Sequence, residues 1–220
     1  MKKMNRKDKS QQVKEKIITV ARNLFIKQGY TATTIRQILN ETGYTTGSIY
    51  HFFPNKEAIL MQIALIYFKD IIPVIQSLIK DDPDPMIHYT LYIAIQLLAS
   101  ENNKNMAELN LRSYRSWPIS EIICGYSMKR NMVIFKKYNK NMTDEEWYAR
   151  TLTLNGMIQN CIAERLNNGK LPVQLRLSVI ITAALALYNI PSKNVSSIVN
   201  RTLEIIKKKK IRFYGLDFSQ

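Results

Sequence analysis

Between Thr34 and Lys56 the chain gathers short hydroxyls, a guanidinium, a phenol, an imidazole and an ammonium around a bare glycine. Groups of these types suit reversible hydrogen bonding and charge pairing rather than bond making. Arg36 can donate two parallel hydrogen bonds, a fork that matches the acceptor pair on the major-groove edge of guanine. Thr46, Ser48 and Tyr50 can meet other base edges, while Thr34, Thr45, His51 and Lys56 suit phosphate oxygens. Gly47 would let a backbone approach a groove closely. Each also has a plainer use: Thr34 and Thr45 are good helix caps, and Tyr50 or His51 could pack against a neighbouring helix.

Positioning such groups takes two short helices. Thr34 followed three places later by Gln37 is the pattern of a capping box, so a helix opens there. Ile35, Ile38 and Leu39 share its apolar face, and Arg36, Gln37 and Asn40 look outward. Gly43 can take the left-handed conformation that ends a helix, and Thr45 can cap a second one almost at once. That second helix, Thr46 to Phe52, buries Ile49 with Phe52 or Phe53 and leaves Thr46, Gly47, Ser48, Tyr50 and His51 outside. Its outer face is slim at the tip and rich in donors and acceptors, as a helix entering the major groove requires. Pro54 to Glu57 ends it and caps the next helix, whose first N–H groups beside Lys56 could hold a phosphate.

Phe25, Gly29-Tyr30, Thr33-Thr34-Ile35, Ile38, Gly43, Gly47-Ser48-Ile49-Tyr50-His51-Phe52-Phe53 and Lys56-Glu57 together resemble, at fixed spacing, the N-terminal DNA-binding domain of the TetR family of bacterial transcriptional regulators. Tyr44 stands where that family usually has a small aliphatic residue, and Leu39 where it usually has alanine. The resemblance implies an all-α fold: a three-helix helix-turn-helix DNA-binding domain at residues 1–54, then a helical effector-binding and dimerisation domain at residues 55–220. It also implies double-stranded operator DNA as partner, a homodimer, and repression relieved by an unidentified small molecule.

The 220 residues are 46% hydrophobic with few Gly and Pro, the balance of a helix-rich globular chain. A net charge of +15 and a pI of about 9.8 point to a polyanionic partner, although a solvated basic surface would explain charge alone. Cys124 and Cys161 lie far apart in apolar contexts, as in a reduced cytoplasmic protein. No signal peptide is visible, and apolar tracts such as Ile180 to Leu187 fall short of the ~20 residues that cross a bilayer, so no membrane role is expected. No cofactor or metal is expected either: no glycine-rich phosphate loop is present, and His51 and His88 lack Cys, Asp or Glu at metal spacing. An enzyme has no motif to rest on. A helical interaction bundle, the third class, would lack sequence-specific DNA binding.

Along the chain, residues 1–10 carry Lys2, Lys3, Arg6, Lys7 and Lys9 and read as a mobile basic arm. A first helix runs from about 11 to 28 on the stripe Val13, Ile17, Val20, Ala21, Leu24 and Phe25. The helix opening at Asn55 continues to about Lys80, broken or kinked near Pro73, and Asp81 to Pro85 breaks it. Further helices follow at about 86–100, 104–114, 120–138, 143–166, 172–188 and 194–210, with a turn at Trp117-Pro118. The pair at about 144–166 and 172–188 is antiparallel and apolar on more than one side, which marks it as the homodimer face. Tyr67, Phe68, Tyr89, Tyr92, Tyr114, Trp117, Tyr126, Trp147 and Met157 are candidates to line an effector pocket, with His88, Asn110, Arg112 and Gln159 as polar anchors. Aromatics at helical spacing more often fill a core.

Overall fold

Helices of seven or eight residues do not persist in water alone. In this computed structural model, which describes residues 6–80, 84–167 and 169–217, α2 (Ile35–Thr42) and α3 (Thr46–Phe52) exist because tertiary packing holds them. Ile38, Ile49 and Phe53 are buried in one core with Ile17, Ala21 and Phe25 of α1 (Arg6–Gln28) and with Ile59, Leu60 and Ile63 of α4 (Lys56–Leu78). Each of the larger of these side chains contributes roughly 1.5–3 kcal/mol by leaving water. Residues 6–10, expected in a mobile arm, are instead the first turns of α1, where Asp8 complements the helix dipole. The rest of that expected arm lies outside the described residues.

α4 continues with Pro73 inside it. It is the one described helix whose length and composition would suffice to cross a bilayer, yet Ile59, Ile63, Tyr67, Ile71 and Ile75 are buried in the protein core. The breaker expected after it falls largely on residues 81–83, outside the described residues. Asp84 caps α5 (Pro85–Asn102) by accepting from the Met86 N–H, with Pro85 in the first helical position. α5 is buried nearly all round and forms the centre of the larger unit, packed on α4, α6 (Lys104–Arg115), α8 (Asp144–Asn167), α9 (Val173–Leu187) and α10 (Ser192–Lys208). The turn expected at Trp117-Pro118 comes at Ser116, because a proline fits the first turn of a helix: α7 runs Trp117–Phe135 and ends in a 3-10 turn over Lys136–Tyr138. Arg176, buried in α9, ties three helices together through ion pairs to Glu101 of α5 and Glu164 of α8.

A feature the periodicity did not foresee follows α10. Arg212–Phe213 (β1) and Leu216–Asp217 (β2) pair antiparallel around Tyr214-Gly215, both at positive φ as a two-residue hairpin turn demands. Phe213 is buried with its ring 5.0 Å from that of Tyr67 in α4. Tyr214 donates its hydroxyl to Asp70 of α4 at 2.9 Å and lies 4.4 Å beneath the Arg22 guanidinium of α1.

Candidate nucleic-acid interface and effector cleft

The local chemistry of the α2–α3 pair follows from its caps. The Gln37 N–H donates to Thr34 Oγ1 at 3.2 Å and the Thr34 N–H to Gln37 Oε1 at 2.8 Å, a closed capping box. Gly43, at φ 71°, sends its N–H to the Leu39 carbonyl at 2.9 Å and ends α2. Thr45 caps α3 by accepting from the Ser48 N–H at 3.3 Å. Tyr44, large for its place in the turn, is accommodated by lying half-buried on the core with the Lys16 ammonium 5.2 Å from its ring centre.

Thr34, Arg36, Thr45, Thr46, Gly47, Tyr50 and His51 are exposed on this unit, and half of the Tyr50 surface is open to solvent. Two of the sequence candidates are committed elsewhere. The Ser48 hydroxyl is half-buried and sits 3.0 Å from Thr45 Oγ1, inside the cap. The Lys56 ammonium, expected beside a phosphate, donates to the carbonyls of Tyr30 and Thr33 at 2.8 Å each and lies 4.2 Å over the Tyr30 ring. Its charge therefore fastens the α1–α2 turn, and desolvation lowers its pKa.

That turn also meets α6. Glu108 accepts from Thr31 Oγ1 at 2.9 Å, Arg112 donates to the same hydroxyl at 2.8 Å and pairs with Glu108 at 3.0 Å, and Asn105 donates to the Ile26 carbonyl at 3.0 Å. Ser116 donates to Glu57 at 2.6 Å. Arg112, expected as an effector anchor, is thus part of the contact between the α1–α2 turn and α6. Sequence spacing gave no signal for this joint, since its members lie on helices far apart in the chain.

Of the pocket candidates the structure brings together Phe68, His88, Tyr89, Tyr92 and Tyr126. Phe68 and Ile72 of α4, Tyr92 of α5 and Ile123, Tyr126 and Arg130 of α7 enclose a cavity of about 190 Å³. A neighbouring space of about 360 Å³ shares Ile72, Tyr92 and Arg130 with it and adds His88, Tyr89 and Ile134. The other candidates lie apart. Tyr67, Asn110 and Tyr114 form buried hydrogen bonds, Asn110 to Tyr67 at 3.1 Å and Tyr114 to Gln96 at 2.6 Å. Trp147 is core, its ring 5.7 Å from that of Tyr188. Trp117 is exposed, and Met157 and Gln159 are half-buried on α8 outside the cleft lining. Arg130 was the residue missed. Its cation, midway along a mostly apolar α7, is the signal that could have found it.

The family profile described as bacterial regulatory proteins, tetR family, matches residues 17–63. The HTH-type transcriptional regulator YxaF of Bacillus subtilis is 32% identical over 149 residues, spanning 66% of this chain and 73% of that one. QacR, an HTH-type transcriptional regulator of Staphylococcus aureus, is 41% identical over 51 residues, 23% of this chain and 27% of its own. Among solved structures, RolR in complex with resorcinol superposes with a TM-score of 0.69 at 18% identity, over 89% of this chain and 97% of that one. SmeT, the repressor of a multidrug efflux pump of Stenotrophomonas maltophilia, does so with a TM-score of 0.57 at 16% identity, over 81% and 91%. At 149 residues the likeness to YxaF is far longer than a helix-turn-helix, and with it the chain belongs to the tetR family of bacterial regulatory proteins and is a DNA-binding transcriptional regulator, not an enzyme.

Proposed function

We propose that this regulator is a repressor that binds a pseudo-palindromic operator as a homodimer and is released by a small, mainly apolar effector held between α4, α5 and α7. The observation that carries it is that one helix serves both ends: α4 closes the core under α3 and, two turns on, walls the cleft with Phe68 and Ile72. An effector that favours one tilt of α4 alters the spacing of two recognition helices, and a ligand shifts an equilibrium only through such a differential contact. The chain is read as a DNA-binding unit over about 1–54 and an effector and dimer unit over about 55–220. Arg36, Thr46 and Tyr50 are assigned to base edges, with Gly47 at the closest approach and Thr34, Thr45 and His51 at phosphates. Ser48 supports them from inside the α3 cap, and Lys56 from its hold on the α1–α2 turn.

One copy of a two-turn helix reads too few base pairs to stand out among genomic sites, so two are needed, about 34 Å apart. The α8–α9 pair supports this: α9 buries Leu177, Ile181 and Leu185 on one side and leaves Leu175 and Val179 open on another. Selection of bound duplexes from a random pool should yield a two-fold symmetric site. Arg36→Ala with Tyr50→Ala should then abolish its mobility shift while the protein stays folded and dimeric. An unsymmetrical or undefined selected pool, or a double variant that binds as before, rejects the assignment.

A further inference from the structure

We propose that the effector is a small lipophilic acid whose anionic group is met by Arg130. This rests on the effector reading above and specifies the chemistry of its ligand. The cleft is walled by apolar and aromatic side chains, and the permanently charged groups among them are Lys69 and Arg130, with no Asp or Glu. A neutral lipophile would leave that imbalance as it is, and a cationic one would worsen it in a setting of low dielectric.

Arg130, half-buried on α7, is the more telling group because of how the chain treats Arg176, which is buried. Arg176 meets the carboxylates of Glu101 and Glu164 and donates to the carbonyls of Leu171 and Cys161. Arg130 has no carboxylate within ion-pair distance among the described residues. Its guanidinium lies 3.7 Å from the centre of the Tyr92 ring, an attraction that holds it flat without neutralising it. Its Nε is buried with no hydrogen-bond partner, and so is the hydroxyl of Tyr89, which lines the same cleft. Tyr92 cannot fill the gap as an anchor for a ligand, since its own hydroxyl donates to the Phe68 carbonyl at 3.1 Å. Buried donors are normally satisfied, and a planar cation with a donor to spare is suited to a carboxylate. The space of about 190 Å³ fixes the size of the rest. A dry engineered cavity of about 150 Å³ takes benzene, so a single ring with a short substituent fits.

The test uses full-length protein and three probes on one ring: 4-methylbenzoate, 4-methylbenzamide and 4-methylbenzylamine, titrated by calorimetry and in release of the selected operator. The acid should bind at least tenfold more tightly than the amide, and the ammonium more weakly than either. Arg130→Met should remove the acid's advantage while leaving amide binding intact, which also reports that the cleft is still formed; Arg130→Lys should keep part of it. Equal binding of acid and amide, a preference for the ammonium, or an acid preference that survives in Arg130→Met would overturn the proposal. If the neutral or cationic probe releases the operator and the acid does not, the acid is wrong but an effector site stands. If no probe of any charge binds or releases, the effector reading fails with it.

Discussion

Gly47 occupies the second helical position of α3, where alanine would be better for the helix by about 0.5–1 kcal/mol. A Cβ built there meets no atom within 4 Å, so the protein's own packing gives no reason for glycine. Gly47→Ala should therefore hold or slightly raise the thermal midpoint while weakening operator affinity about tenfold or more. Scanning calorimetry and a mobility-shift titration read the two signs, and a loss of stability would mean that the glycine serves the fold. Gly43 is the converse case, open in space but held at φ 71°, so backbone conformation demands it. Gly43, and the caps at Thr34 and Thr45, were readable in sequence because their hydrogen-bond partners lie within four residues. Lys56 and Ser48 were not read correctly, since whether a polar side chain points out or folds back depends on carbonyls and hydroxyls that only the fold brings near.

Among elements, the contact of the α1–α2 turn with α6 is, on the proposed function, a place where an effector's influence would reach the DNA-reading helices. Its ion pair is largely exposed, and such pairs contribute at most about 1 kcal/mol to stability. Arg112→Ala should leave the fold and effector-free operator affinity nearly unchanged, yet reduce the effector's power to release DNA several-fold. Operator titrations with and without saturating effector measure that coupling, and an unaltered ratio would place transmission in α4 alone. Helix positions were recoverable from apolar periodicity to within a few residues, the start of α1 lying furthest off, at Arg6 rather than about 11. The cleft was not. α5 is apolar on every side, so its pattern could not say that Tyr89 and Tyr92 edge a cavity while Tyr114 and Trp147 are packed away.

For the whole molecule, the proposed homodimer turns on the outward stripe of α9. Leu175 and Val179 are 51% and 60% exposed in the single chain. A carboxylate placed at their centre should cost little in one subunit and much between two, because an unpaired charge would be buried in the interface. Val179→Glu is expected to give a folded monomer by light scattering and to lose operator binding cooperatively with protein concentration. A variant that stays dimeric would move the interface elsewhere. The C-terminal hairpin was invisible to helical periodicity, being two residues per strand, but it bears on how the regulator comes into being. Tyr214 grips Asp70 from 144 positions downstream and Arg22 from further still. During synthesis the amino-terminal helices emerge and pack long before that clasp exists. A nascent chain thus lacks that clasp until translation has passed α10, and its DNA-reading end is held until then by α4 and the contacts with α6.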